Sequence, residues 1–187
     1  MIGEYGVGGL VGRSSGTVSG SYATSAVTGS SSVGGLVGSN GWDATISQCY
    51  ATGLVTGSYE VGGLVGSHVG TVSESYATGA VTGGEYGVGG LLGYNEGTVS
   101  HCYSTGAVTG EYGAGGLVGD DMMGMGGAVE FSFWDTETSG MATSFGGTGL
   151  TTAEMQTEST FTGWDFVDVW YMLEGGSYPY LQIFDYL

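Results

Sequence analysis

The stretch Gly8-Gly9-Leu10-Val11-Gly12 returns four more times along the chain, once as GGLLG, and it decides the fold. The later copies begin at residues 34, 62, 89 and 115, so the repeats are 26–28 residues long. A second block, which reads TVSGSYATSAVTG at 17–29, follows the first in each of the first four repeats. A regular period in this range is typical of proteins in which each repeat stacks on its neighbours.

Short strands and tight turns are the natural assignment within each repeat. The apolar residues alternate over short runs bounded by glycine, and no segment has the period of an amphipathic helix. Three strand-like pieces per repeat predict an all-β fold, a parallel β-solenoid (β-helix) of about five coils over residues 1–120. We expect residues 121–187 to form a degenerate last coil and a mixed C-terminal cap of the same continuous domain. Within that cap, Thr151 and Glu154 form a capping box that predicts a short helix.

Residues at equivalent positions predict which side chains face the core. Two apolar columns should line it: Leu10, Leu36, Leu64, Leu91 and Leu117, and Val27, Val55, Val81 and Val108. A polar column should face water: Gly20, Gln48, Glu74 and His101. Alternation from there points Cys49 and Cys102 inward and the tyrosines that follow them outward. Alternation also conflicts with burial of the apolar residues two places before the polar column, which are Val18, Ile46, Val72 and Val99. We therefore expect a corner or bulge between these residues and the cysteines. The paired glycines predict a sharp bend at one corner of every coil.

The two cysteines occupy one column two coils apart. At a strand spacing of about 4.8 Å, they would be separated by about 9.6 Å, beyond the roughly 7 Å limit between disulfide-linked Cα atoms. We therefore predict two buried free thiols.

The charge of the chain excludes several classes of partner. It contains 18 acidic residues and one basic residue, Arg13, for a formal charge of −17. Such a surface repels phosphate backbones and anionic membranes, so we expect no nucleic acid partner. The absence of lysine excludes a P-loop.

No apolar run reaches the roughly 18 residues of a spanning helix, so we expect no membrane insertion in this chain. Residues 1–10 lack the pattern of a signal peptide. Because a repeat begins directly after Met1, we expect the chain to be part of a longer array.

The GGLVG block followed by SYATG or CYATG resembles the GLUG-motif repeats of bacterial and archaeal surface proteins. The segments SFWDTETSG, GTGLTTAEM, GWDF and SYPYL resemble the tail that often closes such arrays. The resemblance implies an extracellular or cell-surface protein of adhesin or haemagglutinin-like type. Such repeats are sometimes attached to larger enzymes such as IgA-specific metallopeptidases, but this sequence contains no HExxH motif.

The outward tyrosines and the threonines beside them form the candidate binding face: Tyr22, Tyr50, Tyr76 and Tyr103, with Thr24, Thr52, Thr78 and Thr105. Aromatic ladders stack on sugar rings and on protein partners. The same row is also an ordinary way to stabilise a sheet.

Glutamates precede three of the GGL blocks: Glu60, Glu85 and Glu111. Stacked coils would place these carboxylates within one or two strand spacings, where like charges repel. Either solvent and salt screen them, or they weakly bind calcium or magnesium; we expect no other cofactor.

The remaining motifs point to no enzyme. Gly12-Arg13-Ser14-Ser15-Gly16 matches GxSxG, but it occupies a variable loop without the strand-to-helix step of a nucleophile elbow. His68 and His101 lie in different columns and are expected to be surface histidines, not a zinc pair. Asp120 and Asp121 lack the spacing of a calcium loop and are expected to be solvated.

The sequence thus predicts a non-enzymatic extracellular module of a cell-surface adhesin, which binds glycan or a surface protein through the tyrosine and threonine face. The alternative is a structural stalk or filament subunit that self-associates end to end through open solenoid coils.

Overall fold

The computed structural model describes residues 1–121 and 126–185, and in it the chain winds into a parallel β-solenoid. Equivalent residues of successive coils pair in register, as Val55 does with Val27 on one side and Val81 on the other. The coils are coil 1 (5–30), coil 2 (31–58), coil 3 (59–85), coil 4 (86–111) and coil 5 (112–135). The predicted fold class is confirmed. Residues 122–125 and 186–187 of the predicted cap lie outside the described residues.

The described residues form four parallel sheets, each a face of the solenoid. Face 1 contains Tyr5–Gly8, Ser31–Gly34, Val55–Gly62, Val81–Gly89 and Ala114–Gly115, extended by Val27–Thr28 and Val108–Thr109. Face 2 contains Val11–Ser14, Val37–Asn40, Val65–His68, Leu92–Asn95 and Val118–Asp120. Face 3 contains Thr17–Ser19, Thr45–Ser47, Thr71–Ser73, Thr98–Ser100 and Val129–Glu130. Face 4 contains Tyr22–Ala23, Tyr50–Ala51, Tyr76–Ala77, Tyr103–Ser104, Phe133–Asp135 and Thr148–Leu150.

Each coil passes through two left-handed corners. The first lies in face 1, with φ from +51° to +67° at Gly6, Ser32, Glu60, Gly87 and Gly113. The second lies between faces 3 and 4, with φ from +46° to +53° at Gly20, Gln48, Glu74, His101 and Phe131. A left-handed residue interrupts strand alternation, which explains how the valines of face 3 and the small residues before the tyrosines both point inward. The corner predicted there is confirmed, and its residues are exposed or half-buried.

The paired glycines of each repeat are required by close backbone contact. A Cβ atom on Gly35 would lie 2.1 Å from the carbonyl oxygen of Gly63 and 2.9 Å from the Cβ atom of Ala51. A Cβ atom on Gly34 would lie 2.0 Å from the carbonyl oxygen of Val37. The chain bends after each pair, as predicted. Neither Gly34 nor Gly35 has a left-handed backbone, so the requirement is steric and not torsional.

Inside the coils, the described residues form two core clusters. One holds the leucine column, the alanines of face 4 and both cysteines, and the other holds the valines of face 1. Cys49 and Cys102 are buried and free, as predicted. Leu36, Leu64, Leu91 and Leu117 are fully buried, whereas Leu10 is 50% exposed. Leu10 differs because coil 1 has a neighbouring coil on one side only.

The segment after coil 5 covers two different surfaces. Residues 141–150 lie across the end of coil 5, where the amide of Phe145 donates to the carbonyl of Val118 and Thr148–Leu150 pairs with Phe133–Asp135. We call residues 151–185 the tail. It begins with the helix Thr152–Met155, which has the predicted capping box. The other helical elements are Thr136–Ser139 and the 3₁₀ turns Glu158–Thr160 and Gln182–Phe184, and Trp170–Tyr171 pairs antiparallel with Tyr180–Leu181.

Candidate functional site

The predicted binding row is a ladder of stacked rings on face 4. The rings of Tyr22, Tyr50, Tyr76 and Tyr103 have centroids 5.0 Å apart and interplanar angles of 5–8°. Stacking at the strand spacing follows from the parallel register, because each tyrosine lies directly above the one in the preceding coil. This aromatic ladder stabilises the sheet.

The tail packs on this ladder and covers much of it. Phe184 meets Tyr22 and Tyr50 edge to face, with centroids 5.6 and 4.9 Å away. Trp170 lies against Tyr76 and Tyr103, in a cluster that also includes Met155, Phe161, Trp164 and Leu181. The hydroxyl of Tyr103 donates a 2.5 Å hydrogen bond to the carbonyl of Pro179.

The structure therefore corrects the expected accessibility of the row. Tyr103 is only 2% exposed and cannot stack on a ligand while the tail is bound, and Tyr50 and Tyr76 are half-buried. Tyr22 remains 44% exposed. Thr24 and Thr52 are exposed, and Thr78 and Thr105 are half-buried. Ligand binding by this face stays a prediction.

Asp135 anchors the tail to coil 5. Its fully buried carboxylate accepts hydrogen bonds from the amides of Glu137 and Thr138, at the start of Thr136–Ser139, and from the hydroxyls of Thr152 and Tyr178. Burial alone would raise the pKa of Asp135, but these hydrogen bonds stabilise the charged form and hold the pKa below its ordinary value. One carboxylate thus joins three separate segments.

The three glutamates proposed as cation ligands do not form one column. Glu60 is the left-handed corner residue of coil 3 and accepts a 2.6 Å hydrogen bond from the hydroxyl of Ser32. Glu85 and Glu111 instead precede the tyrosines of coils 4 and 5, and Glu85 accepts from the hydroxyl of Tyr59. The offset lies in the order of the residues, because Glu60 follows Tyr59 whereas Glu85 and Glu111 precede Tyr86 and Tyr112, and Tyr59 pairs with Tyr86. The described residues contain no group of three or more His, Cys, Asp or Glu side chains suited to hold a metal ion. Weak calcium or magnesium binding by Glu60, Glu85 and Glu111 stays a prediction.

A second aromatic column, which the sequence reasoning missed, lines a groove that follows the left-handed corner of face 1, beside face 2. We call it the corner groove. One wall holds the outward residues of face 1: Tyr5, Ser31, Tyr59, Tyr86 and Tyr112. The other wall holds those of face 2: Arg13, Ser39, Ser67, Tyr94 and Asp120. The left-handed corner residues form its floor.

The corner groove contains two adjoining hollows. One of about 330 Å³ lies against Tyr5, Arg13 and Ser39, and one of about 280 Å³ lies against Tyr59, Glu60, Tyr86, Tyr94 and Asp120. The signal in the sequence was the tyrosine in YGVGG, YEVGG and YGAGG, which recurs just before four of the five GGL blocks.

Glycines let the two walls of the groove meet without side chains between them. A Cβ atom on Gly93 would lie 2.3 Å from the carbonyl carbon of Glu60, and one on Gly66 would lie 2.4 Å from that of Ser32. This explains the last glycine of the GGLVG block.

The groove carries negative charge close to its aromatic rings. The hydroxyl of Tyr94 donates a 2.5 Å hydrogen bond to Glu96. Burial, this hydrogen bond and the charges of Glu96, Asp120 and Glu60 together raise the pKa of Tyr94 well above its ordinary value. Glu60 and Asp120 line the same hollow as Tyr94, so carboxylates lie on more than one side of this ring.

His68 was predicted to be a surface histidine, and this is wrong. Its side chain is fully buried at the end of face 2, in a polar column with Ser14, Asn40 and Asn95. Its Nδ1 atom lies 3.2 Å from Nδ2 of Asn40, and its Nε2 atom lies 3.3 Å from the carbonyl oxygen of Thr98. Polar side chains are needed here because the chain turns towards face 3, and Asn95 accepts from the amide of Gly97 in that turn. Burial lowers the pKa of His68 to about 4. His101 is half-buried beside Phe131, with ring centroids 5.3 Å apart.

Ser14 of the GxSxG match belongs to the same buried column. Its hydroxyl donates to the carbonyl of Gly16, 3.2 Å away. A nucleophile elbow would instead present the serine at an exposed strand-to-helix turn.

Comparisons with known proteins agree with the repeat architecture. The profile of the GLUG motif matches residues 29–56 and 84–109, and each match spans one turn of the solenoid. A protein of Evansella cellulosilytica, provisionally named a Gly-rich membrane protein, is 41% identical over 79 residues. The alignment covers 41% of this chain and 9% of that protein. No solved structure matches the chain significantly. Among the helices of the described residues, none is long and apolar enough to cross a membrane. Residues 29–56 and 84–109 are thus GLUG motifs, and each motif forms one coil of the solenoid.

Proposed function

We propose that this chain is a non-enzymatic, rigid module of a cell-surface protein, and that the open side of coil 1 receives a further β-coil. The observation that carries the proposal is the exposure of Leu10, whose four column mates are completely buried. Val11 and Val18 of the same coil are likewise less buried than their equivalents in coils 2 to 4. An uncovered coil presents apolar side chains and unpaired strand edges that match another coil of the same repeat.

The two ends of the solenoid differ, and the difference favours a stalk over a filament of identical chains. At coil 5, the amides of Leu117 and Val118 already donate to the hydroxyl of Ser144, and Trp134 donates to the carbonyl of Met141. A second chain could stack on this end only after residues 141–150 had left it. Addition of coils is therefore proposed at coil 1 alone.

The extracellular location belongs to the same proposal. The strongly acidic composition and the partial match to a larger protein named for the membrane support it. The burial of Ser14 within the coil supports a non-enzymatic role.

The test is an extended chain in which a second copy of residues 29–56 is placed directly before Gly3, which keeps the strand register. We expect one cooperative unfolding transition at a higher temperature, because a new coil interface adds nearest-neighbour stability. Leu10→Asp should abolish this gain in the extended chain and change the parent chain little, whereas Leu36→Asp should destabilise both. An unchanged melting temperature, with proteolytic loss of the added coil, would contradict the proposal.

Adhesion through face 4 is a second proposal, supported by the exposure of Tyr22, Thr24 and Thr52. It predicts that the double change Tyr22→Ala and Thr24→Ala weakens attachment to a glycan or protein surface, whereas Thr98→Ala on face 3 does not. Equal attachment by all variants would rule out this face.

A further inference from the structure

We propose that the corner groove binds an extended, arginine-bearing segment of a partner protein. This goes beyond a structural function, because it assigns a ligand to the side of the solenoid. The tail covers most of the tyrosine ladder of face 4 and leaves only Tyr22 exposed, but the tyrosines of the groove are open to solvent, and Tyr86 is 57% exposed. Four of the five coils contribute a tyrosine to the same wall.

The aromatic wall suits a cationic ligand. A guanidinium or ammonium group is attracted to the face of a tyrosine ring by the quadrupole of the ring. The rings of Tyr86 and Tyr112 lie roughly parallel, with centroids 6.2 Å apart, and both are more than half exposed, so the aromatic wall continues from coil 4 to coil 5. The ligand should therefore carry several cations along a straight chain.

The charge of the groove favours the same ligand. Glu60 on the floor and Asp120 on the opposite wall line the hollow beside Tyr59 and Tyr86. The chain has one Lys or Arg residue for 18 acidic residues, and that residue, Arg13, lines the other hollow. The charge of the acidic hollow must therefore be balanced from outside the chain, and a basic partner does so.

Arginine fits this arrangement better than lysine or a neutral sugar. Its planar guanidinium can stack on a ring and pair in a bidentate manner with a carboxylate, whereas lysine presents only a point charge. A sugar would use the rings and gain little from the negative charges. The hydrogen bonds from Tyr59 to Glu85 and from Tyr94 to Glu96 hold ring and carboxylate side by side before any ligand arrives.

The probe is a short fluorescent peptide that alternates arginine and serine, with lysine and glutamate versions for comparison, measured by fluorescence anisotropy. The double change Tyr59→Ser and Tyr86→Ser removes the rings, and serine already occupies this column at Ser31. Glu60→Gln removes one charge from the groove. Glu60 has a left-handed backbone, and Gln48 shows at the other corner that glutamine adopts the same backbone conformation. The controls are Trp42→Ser and Asp43→Asn, which remove an exposed ring and an exposed charge outside the groove.

The arginine peptide should bind more tightly than the lysine peptide, and the glutamate peptide should not bind. We expect the double variant to weaken binding about tenfold, Glu60→Gln about threefold, and each control less than twofold, in line with the strength of cation–π and ion-pair contacts. Thermal unfolding should show that each variant is folded. If the double variant does not fold, the single variant Tyr86→Ser replaces it.

Three results would overturn the proposal. The first is the absence of arginine peptide binding. The second is equal binding of the arginine and lysine peptides with equal losses in the groove and control variants, which would indicate diffuse charge attraction. The third is tighter binding of a neutral oligosaccharide, such as cellohexaose or chitohexaose, which would assign the groove to glycans. None of these results depends on whether coil 1 accepts another coil.

Discussion

The hydroxyl of Tyr178 donates a 2.6 Å hydrogen bond to the carboxylate of Asp135, 43 residues earlier in the chain. Through this contact the last part of the tail is joined to the strand of coil 5 that continues the tyrosine ladder. Because the acceptor is a buried charge, the bond should contribute more than a hydrogen bond between neutral groups.

Loss of this contact should loosen the tail before the coils unfold. We expect Tyr178→Phe to lower the free energy of unfolding by about 1–2 kcal/mol, and Asp135→Ala by about 3 kcal/mol because it leaves several buried donors unpaired. Trp164 and Trp170 lie in the buried cluster between the tail and the tyrosine ladder. In a urea titration of each variant, their fluorescence emission should shift to the red at a lower urea concentration than in the parent chain. Tyr171→Phe, at a half-exposed ring, is the matched control and should change little.

Acid should destabilise the protein through His68. Its pKa is about 4 in the folded chain against an ordinary value of 6.5, so the unfolded chain binds the proton more tightly. The stability that neutral His68 provides is fully present above pH 6.5, falls as the pH drops towards 4, and declines by about 3 kcal/mol in all.

The measurement is urea unfolding at a series of pH values for the parent chain and for His68→Asn, since asparagine fills this column at Asn40 and Asn95. The variant should lack the part of the decline that belongs to His68, while His101→Asn should retain it. Parallel curves for the parent chain and His68→Asn would refute the assignment.

Two glycines that look alike in the sequence should respond oppositely to alanine. Gly35→Ala places a Cβ atom 2.1 Å from the backbone of the next coil, so we expect a loss of about 3 kcal/mol or more and a weaker stack on both sides. Nothing lies within 4 Å of a Cβ atom on Gly16, where alanine should be neutral or stabilise by about 0.5 kcal/mol. Thermal unfolding of both variants tests the comparison, and similar melting temperatures would show that coil spacing adapts easily.

Both thiols should be inert in the native protein. Burial raises the pKa of Cys102 to about 12 and also raises that of Cys49, so neither forms the reactive thiolate at pH 8. Ellman's reagent should detect no thiol before urea is added and two afterwards. Rapid reaction of one thiol, assigned with Cys49→Ser, would instead reveal local opening of the corner between faces 3 and 4.

The repeated part of the structure was predictable because its residues occur in columns. A position that is leucine in every copy should meet the same surroundings in each covered coil, so Leu36 and Leu64 could be assigned to the core, whereas Leu10 of the uncovered coil 1 is half exposed. The conflict between Val72 and Tyr76 likewise predicted the corner at Glu74, because strict alternation cannot bury Val72 and Ser75 together.

The contacts of the tail were not predictable in this way. Trp170 and Phe184 occur once each, and no column indicates that they lie against Tyr76 and Tyr50. The tyrosines before the GGL blocks stand beside glutamates that indicated a cation site, so the corner groove was not predicted. His68 was assigned to the surface because histidine varies with asparagine and serine there, a pattern that a buried turn column shares with a solvated loop.

The tail runs back over the solenoid from Asp135 in coil 5 to Tyr22 in coil 1. A stack of coils held together only by adjacent contacts would fray from its open end, one coil at a time. Here a single covalent segment lies across the rungs of four coils, so detachment of coil 1 also requires release of Phe184. The free energy of local opening should therefore be nearly uniform along coils 1 to 4. A mechanical load on the open end would be shared along the length of the module instead of falling on one interface.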